Sequence, residues 1–421
     1  MRWTILILLF FGVMINFADK SVAGLSAVYL MDEFKLSYGQ WGVIGSIFYV
    51  IFPLAALGVG ALTDKMGPKK VLGYMLLSWS IIQMGGFFIA GFIMLLMYRF
   101  LLGVTEGGYA PAAFKQLFSW FPPESRGKIN SIYNAGAVAG GFIMSPLIVY
   151  LLQSVGWRMT FVVLGVSSLV LYILWITIVP KENPNIHIVS PDQVSNPENK
   201  ISRSELWSVL RSSSVIFSVL ATFTCFIYVV WSSTWMPLHL IKVVNISESA
   251  VGFAISGIGI SSVIIGIILA TASDRLFKKT QDVRKSRIIF TGVSMIIGAL
   301  MVASTYFIQA PIWVVIALGL GNGLCVTFFS ISHILLSSQL PEKTATLSGL
   351  LIASGNVAGI FAPLLTGFII ESASNEIQGF NNSLLFIAIT LLVVALLFTI
   401  FAKPGKPRDL NNNIEITNTG S

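Results

Sequence analysis

An acidic and a basic residue, Asp19 and Lys20, are adjacent inside an otherwise apolar stretch. The residues from Trp3 to Ala18 carry no charge. If this stretch crosses a bilayer as a helix, each charge at its centre costs about 2.5–3.5 kcal/mol on insertion scales. Ionisable side chains inside membrane helices usually mark ion or substrate pathways, so we expect these two to have a function.

Arg99 and Glu106 form a second pair of embedded charges, in the sequence YRFLLGVTEGG. Their spacing of seven residues is two helical turns, so both lie on one helix face, about 10 Å apart along the axis. Counting inward from the predicted helix ends places Asp19 and Glu106 near the middle of the bilayer and Arg99 nearer its outer side. Ion pairs between the two helices would make the four charges tolerable.

Two interpretations of these charges are open. They could be salt bridges that only hold helices together, although apolar residues of equal volume often stabilise a core as well. Alternatively, the carboxyl groups could carry protons, because burial favours the neutral form of a carboxyl group and a nearby cation favours the charged form. The second interpretation predicts that Asp19 and Glu106 couple transport to the movement of an ion.

The composition is that of an integral membrane protein. Of the 421 residues, 55% are hydrophobic and 10% are charged, whereas roughly 25% are charged in a soluble domain. Apolar runs of about 20 residues recur along the chain, and each can cross a bilayer as a helix. Neither Cys225 nor Cys325 belongs to a disulfide framework or a metal-binding pattern. We therefore expect an all-α membrane protein without a metal or a cofactor.

We predict twelve membrane helices in two pseudo-symmetric bundles of six. The predicted spans are 4–29, 40–62, 71–90, 92–118, 127–153, 159–180, 213–240, 250–273, 288–307, 311–337, 345–371 and 381–402. Residues 1–180 form the first predicted bundle and residues 212–403 the second. The polar residues 181–211 predict a linker between them, and residues 404–421 a tail.

The distribution of basic residues predicts the orientation. With the N-terminus in the cytoplasm, only three of the 26 Lys and Arg residues fall in outside loops, two fall within helices, and 21 fall in inside loops, the linker and the tails. This bias is the positive-inside rule. It predicts cytoplasmic termini, and lipid headgroups rather than nucleic acid as the partner of the net charge of +8.

The two predicted bundles contain similar segments. AGAVAGGF at 135–142 and SGNVAGIF at 354–361 share five identities at an offset of 219 residues. Each follows a Pro-Glu pair and precedes a proline, so helix 5 of the first bundle corresponds to helix 11. Two six-helix repeats of the same orientation are typical of secondary transporters.

The loop GALTDKMGPKK at 60–70 resembles the signature of the major facilitator superfamily, and ASDRLFKKT at 272–280 is a degraded second copy. Glycines in this pattern permit close helix approach and a tight turn, and its aspartate can cap a helix or pair with a cation. The motif residues are Gly60, Asp64, Lys65, Gly67, Lys69 and Lys70.

Three further motifs are similar to the anion:cation symporter branch of that superfamily, which includes galactonate, glucarate and hexuronate transporters, sialin and the vesicular glutamate transporters. They are N-x-x-D-K beginning at Asn16, R-F-x-x-G-x-x-E beginning at Arg99, and GN-x-AG at 355–359. The resemblance covers residues 1–403.

The resemblance implies a role for each matching position. Asp19 and Glu106 would be the protonatable pair, with Arg99 as the partner of Asp19. Lys20 would meet the carboxylate of the substrate, and Asn356 would bind sugar hydroxyl groups from the second bundle.

The sequence departs from the sugar-acid members in three places: Lys20 replaces arginine, Phe17 replaces a tyrosine, and Ala137 replaces a polar glutamine. A lysine is a point charge without the planar fork of arginine. These departures indicate an anion that is smaller or carries fewer hydroxyl groups. Tyr49, together with Tyr133 and Asn134, could also line the cavity, although such residues more often serve helix packing.

We therefore expect a monomeric transporter of the plasma membrane that takes up a small organic anion together with protons by rocking its halves, with sodium as the alternative coupling ion. A hexonate, a hexuronate, an aldarate or another carboxylate would be such an anion. A multidrug or cation exporter of the same fold is the main alternative, but Lys20 argues against it. A membrane sensor without transport is another. No nucleophile–base pair or phosphate loop indicates an enzyme.

Overall fold

The computed structural model describes residues 1–180, 203–337 and 344–404, and all regular structure within these ranges is helical. The helices of the first half are α1 (Arg2–Leu25), α2 (Ala27–Phe34), α3 (Tyr38–Met66), α4 (Pro68–Gly85), α5 (Phe92–Glu106), α6 (Tyr109–Phe118), α7 (Arg126–Val138) and α8 (Ser145–Ile178). Those that follow are α9 (Arg203–Leu210), α10 (Ser213–Thr234), α11 (Met236–Lys242), α12 (Glu248–Thr280), α13 (Phe290–Ser304), α14 (Pro311–Ser337), α15 (Thr344–Glu371) and α16 (Glu376–Phe401).

Ten helical stretches in the described ranges are long and apolar enough to cross a membrane, which confirms the predicted class of fold. The predicted spans 92–118 and 127–153 consist of shorter pieces. A turn at Gly107 and Gly108 separates α5 from α6, and α7 continues through a π-helical segment, Ala139–Ile143, into α8. The described helices are therefore consistent with the twelve predicted spans, with more breaks than the apolar runs indicate.

One predicted break is confirmed and one predicted boundary differs from the structure. The break predicted between 153 and 159 is a kink within α8 at Gly156, whose φ of 78° a glycine adopts without strain. The predicted linker 181–211 ends in a helix, α9, because Trp207, Val209 and Leu210 give it an apolar side. Residues 181–202 and 405–421, which include most of the predicted linker and tail, lie outside the described residues.

Glycine contacts support the internal repeat. A Cβ atom added at Gly136 on α7 would lie 2.6 Å from the carbonyl oxygen of Phe10 on α1. At the matching position, a Cβ atom on Gly355 of α15 would lie 2.6 Å from the ring of Phe226 on α10. In each half, the helix that carries the repeated segment thus packs closely against the first helix of that half.

The two halves meet toward one end of the molecule. The connections at 67, 119–125 and 281–283 lie at the end that we name the basic end. The halves meet toward the other end, which we name the opposite end and which carries the connections at 35–37, 89–91 and 243–247. In the described part of the chain, every hydrogen bond between the halves lies toward the opposite end.

Close helix contacts continue this interface inward. Gly42 on α3 approaches Pro363 on α15 so closely that an added Cβ atom would be 2.6 Å from the Pro363 carbonyl oxygen. On the other side of the molecule, Ser256 of α12 donates a hydrogen bond of 2.7 Å to the Phe142 carbonyl. The embedded charges of the first half lie beside this interface.

Candidate functional site

A chain of hydrogen bonds joins the embedded lysine to an embedded carboxylate. Lys20 and Asn16 are one turn apart on α1, and the Lys20 Nζ donates to the Asn16 Oδ1 at 2.8 Å. The Asn16 Nδ2 donates to the Glu106 Oε2 at 3.0 Å, across to the last residue of α5. Asn16 and Glu106 are buried. The amide of Asn16 therefore connects the cation and the carboxylate, each through one of its two ends.

Asp19 is held by an indole and not by the predicted arginine. The Trp79 Nε1 of α4 donates to the Asp19 Oδ2 at 2.6 Å, and both side chains are buried. In the described residues, no ion pair or hydrogen bond joins Asp19 to Arg99, so the predicted partnership stays a prediction. Trp79 binds one oxygen of the Asp19 carboxylate, while the Arg99 guanidinium lies over the ring of Phe48, its Cζ 4.7 Å from the centroid.

Aromatic rings surround the charge of Lys20. Its Nζ lies 4.2 Å from the centroid of Phe17, 4.9 Å from that of Phe52 and 5.8 Å from that of Phe48. Cation–π attraction at such distances is worth about 0.5–2 kcal/mol, and more where water is excluded. Phe17, which the sequence marks as a departure from the tyrosine of similar transporters, therefore contributes to holding the ammonium group.

A small cavity lies beside these charges, at the interface between the halves. Its lining includes Lys20, Trp41, Tyr49, Arg99, Ser233 and Thr234. The first four belong to the first half, whereas the last two lie at the end of α10. Two cations of the first half and two residues of the second half thus line one small space, an arrangement suited to an anionic group.

The other predicted polar residues are placed less centrally. Tyr133 is 2% exposed, and its ring packs 4.9 Å from that of Phe114. The Asn134 amide donates to Asn130, one turn earlier on α7, and the Asn356 amide donates to the Ile352 carbonyl on its own helix. Of the five predicted substrate-binding residues, the structure brings only Lys20 and Tyr49 into the lining of the cavity.

Tyr49 also connects the cavity to the helix that carries Asn356. A Cβ atom on Gly359 of α15 would lie 2.6 Å from the Tyr49 ring. Gly359 is one turn beyond Asn356 on that helix. Asn356 is therefore one helical turn away from a residue that contacts the cavity lining, although its amide is bound to the backbone of its own helix.

The predicted conformational motif forms a turn with one ion pair. Gly67 ends α3 at a φ of 82°, which requires glycine. Asp64 pairs with Lys115 of α6 at 2.6 Å. Close helix approach at Gly60 is not observed, because nothing lies within 4 Å of an added Cβ atom. Three basic residues of the motif, Lys65, Lys69 and Lys70, form no ion pair within the described residues.

The second copy of the motif is more deeply packed. Arg287 pairs with Asp274 at 2.7 Å and donates to the Ser273 hydroxyl at 2.9 Å. Its side chain is 11% exposed. The copy with the degraded sequence therefore holds the better-buried ion pair.

Several site residues were missed at the level of sequence. The sequence around Trp79 and Phe48 does not indicate a site, because an indole or a phenyl ring in an apolar helix usually serves helix packing. Ser233 and Thr234 are equally ordinary in a membrane helix. Asn16 had a signal, since it precedes Lys20 by four residues and thus shares its helix face.

The family model of the Major Facilitator Superfamily matches residues 9–326 and 282–418. The chain belongs to this superfamily. It is therefore a multi-pass membrane transporter and not an enzyme.

The chain is similar to a probable galactarate/D-glucarate transporter of Bacillus subtilis (strain 168), with 25% identity covering 96% of this chain and 92% of the relative. It is also 25% identical to the hexuronate transporter of the same organism, covering 96% of both chains. A bacterial homologue of the human lysosomal transporter Spinster, solved in an inward-facing and occupied conformation, shares the fold. That structure has a TM-score of 0.78 and 17% identity, covering 96% of this chain and 97% of the other.

Proposed function

We propose that this protein is a secondary active transporter that imports a small organic anion, such as a sugar acid, together with protons. The observation that carries the proposal is the connection from Lys20 through Asn16 to Glu106. The substrate classes named for the two Bacillus subtilis relatives support an anionic sugar derivative.

The connection explains how binding of an anion and of a proton can favour each other. Without an anion, the positive charge of Lys20 favours the ionised form of Glu106. When a substrate carboxylate takes up the charge of Lys20, the carboxylate of Glu106 loses that compensation in a buried setting and its neutral form is favoured. Because such coupling is reciprocal, a protonated Glu106 also strengthens anion binding at Lys20.

Asp19 supplies a second carboxyl group to the same cluster. It interacts electrostatically with Glu106, Arg99 and Lys20. One of its oxygens, Oδ1, is buried without a hydrogen-bond donor in the described residues, and the same is true of the Glu106 Oε1. Each can accept a proton without breaking the hydrogen bond that its other oxygen makes.

Alternating access in this proposal is a rocking of the two halves around the cavity. The interface toward the opposite end would be the closed gate, and the substrate would leave at the basic end. We place the basic end and both termini in the cytoplasm, following the bias of basic residues. The protein would work as a monomer in the plasma membrane, with protons rather than sodium ions as the coupling ion.

Glu106→Gln tests the coupling in proteoliposomes. Glutamine imitates the protonated carboxyl group, so the step that requires proton release is lost. We expect exchange of labelled for unlabelled D-glucarate or hexuronate to continue, while accumulation under an imposed pH gradient disappears. Radiolabel uptake measures both activities on the same preparation.

Glu124→Gln is the matched control, because Glu124 is an exposed residue at the basic end. It should accumulate substrate as the wild type does. Accumulation by Glu106→Gln at the wild-type level would refute the role of Glu106. Accumulation by the wild type under a sodium gradient alone would assign the coupling to sodium instead.

A further inference from the structure

Two tyrosines in the interior of the first half have no part in the site described above. Tyr109 is the first residue of α6 and Tyr133 lies on α7, and each is 2% exposed. Both hydroxyl oxygens are buried without a hydrogen-bond partner in the described residues. A phenol hydroxyl is a donor and an acceptor, and buried groups of this kind are usually bonded to protein or to water.

The Tyr109 hydroxyl lies against α1, on the basic-end side of Asp19. A Cβ atom added at Gly12 would overlap this hydroxyl. Gly12 precedes Asp19 by seven residues, which is two helical turns or about 10 Å along the axis. The first residues of α1 lie at the basic end, because the Arg2 guanidinium is 5.9 Å from the ring centroid of Phe121, which belongs to that end.

Tyr109 also contacts the indole that holds Asp19. The ring centroids of Tyr109 and Trp79 are 6.0 Å apart, edge to face, and the Trp79 Nε1 donates to the Asp19 Oδ2. An indole is a donor only, so Trp79 orients the carboxylate but cannot take a proton from it. The Asp19 Oδ1 has no hydrogen-bond partner in the described residues. A proton bound there needs another acceptor when it leaves.

Tyr133 continues this line of polar groups toward the basic end. It interacts electrostatically with Tyr109, and its ring centroid is 4.9 Å from that of Phe114 on α6. Tyr133 follows Arg126, the first residue of α7, by two helical turns. Asn130, nearly one turn closer to the basic end, is exposed. The two hydroxyls thus lie between Asp19 and solvent at the basic end.

On the other side of Asp19, toward the opposite end, the buried tyrosine already has a partner. The Tyr98 hydroxyl donates to the Gln83 Oε1 at 2.6 Å, and both side chains are buried. Gln83 follows Trp79 by one turn on α4. An amide group is not titratable and does not readily pass a proton on. This pair therefore does not extend the line toward the opposite end.

We propose that the hydroxyls of Tyr109 and Tyr133 bind water molecules and, with them, carry a proton from Asp19 to the basic end. This route lies inside the first half, apart from the cavity between the halves. The proposal rests on the function proposed above and names the path of its proton.

The transfer leaves no charge on either tyrosine. Each hydroxyl accepts a proton on its oxygen and passes its own proton to the next water. Oxygen atoms in such a chain are about 2.8 Å apart, so about three waters span the distance of about 10 Å between the levels of Asp19 and Tyr109. The proton of Asp19 thereby leaves without passing the substrate at Lys20.

Tyr109→Phe and Tyr133→Phe test the route, because each keeps the ring and removes the hydroxyl. Proteoliposomes are assayed for exchange of labelled D-glucarate or hexuronate at equal pH, and for uptake driven by a pH gradient. We expect exchange to stay near the wild-type rate, since it needs no net proton release. Uptake should slow about 10- to 100-fold, because a positioned proton-transfer group contributes about 100-fold or more and water replaces it in part.

The solvent isotope effect separates proton transfer from a structural role. Uptake by each variant should slow more in deuterium oxide than uptake by the wild type does, because proton transfer then limits the rate. Tyr228→Phe is the matched control: Tyr228 is a buried tyrosine of the second half whose hydroxyl donates to the Leu318 carbonyl at 3.3 Å. It should keep the wild-type ratio of uptake to exchange and the wild-type isotope effect.

Three results would overturn the route. The first is wild-type uptake in both single variants and in the double variant. The second is an equal slowing of exchange and uptake, which indicates a structural role. The third is a higher unfolding temperature in both variants, because phenylalanine would then have removed a hydroxyl that binds nothing. If the wild type exchanges the anion but does not accumulate it under a pH gradient, the proposed proton coupling itself is wrong.

Discussion

The amide of Asn16 has a donor end and an acceptor end, and the site uses both. Its oxygen accepts from the ammonium group of Lys20, and its nitrogen donates to the carboxylate of Glu106. An alanine at this position has neither a donor nor an acceptor in its side chain and could not connect these two groups. The proposed coupling between anion and proton therefore depends on a residue that carries no charge.

Asn16→Ala should weaken the coupling between proton and substrate movement more than the loss of a single hydrogen bond would. Removing the amide leaves Lys20 and Glu106 without their shared partner, so the protonation of Glu106 responds less to an anion at Lys20. We expect fewer protons to move per substrate molecule, measured by a pH-sensitive dye in parallel with labelled uptake. Asn134→Ala is the control, because the Asn134 amide is bonded within α7. An unchanged ratio of protons to substrate in Asn16→Ala would contradict the role of the amide.

The embedded charges could be found from sequence because a charge in an apolar run has no simple packing explanation. The side chains that contact these charges could not be found from sequence. Trp79 approaches Asp19 from α4, sixty residues along the chain, and only the packing of helices decides whether it or Arg99 reaches that carboxylate. Both are plausible donors in the sequence, and the structure selects the indole.

At the scale of helices, α3 shows how closely the two halves approach. Gly42 and Gly45 both face Pro363 of α15, within distances that exclude a side chain. Further along the same helix, Gly58 and Gly60 have nothing within 4 Å of an added Cβ atom. The first part of α3 therefore packs against the other half, and its last part does not.

Gly42→Ala should open the interface at the opposite end. The added methyl group would lie 2.6 Å from the Pro363 carbonyl oxygen, so α3 and α15 must separate. Spin labels at Asp32 and Ala250, exposed positions on α2 and α12, should report a longer distance than in the unsubstituted protein. The measurement is a pulsed electron resonance distance distribution.

Gly58→Ala is the control in the same helix, where added volume meets no neighbour. Alanine exceeds glycine in helix propensity by about 1 kcal/mol, so this variant should keep the distance and unfold at an equal or higher temperature. An unchanged distance in Gly42→Ala would contradict this prediction, because α3 and α15 would then accommodate the methyl group without moving apart.

The membrane spans were predictable because apolar length is a strong signal, and the kink at Gly156 falls between two predicted spans. The turn at Gly107 and Gly108 lies inside the predicted span 92–118 and was not predicted. The sequence contains 37 glycines, most of which lie inside regular helices. Which glycine breaks a helix depends on what packs against it.

At the scale of the whole molecule, a carboxylate of one half caps a helix of the other. The Glu371 Oε2 accepts from the backbone N–H of Gly39 at 2.7 Å and from the Ser37 hydroxyl at 3.3 Å. Gly39 lies in the first turn of α3, where N–H groups lack partners within the helix. A negative charge is favoured there by the helix dipole.

Glu371→Gln should loosen the contact between the halves at the opposite end. Without its charge the cap contributes less, so the first turn of α3 opens more often. We expect faster backbone amide exchange at residues 37–42, measured by mass spectrometry. Glu124→Gln, at the basic end, should leave that exchange as it is in the wild type. Unaltered exchange in Glu371→Gln would indicate that the glycine contacts alone keep this end closed.

The ion pairs of the two copies of the loop motif differ in how far they are exposed to solvent. The Asp64–Lys115 pair is exposed, with 74% and 41% of the side chains accessible, whereas Arg287 of the other pair is 11% accessible. The screening length of salt falls from about 10 Å at 0.1 M to about 3 Å at 1 M, and it acts mainly on exposed charges. Asp274, the partner of Arg287, is 56% accessible, so salt screens this pair as well. A rise in ionic strength would therefore loosen the loop of the first half more than that of the second, and the two halves would respond unequally to the electrolyte at the basic end.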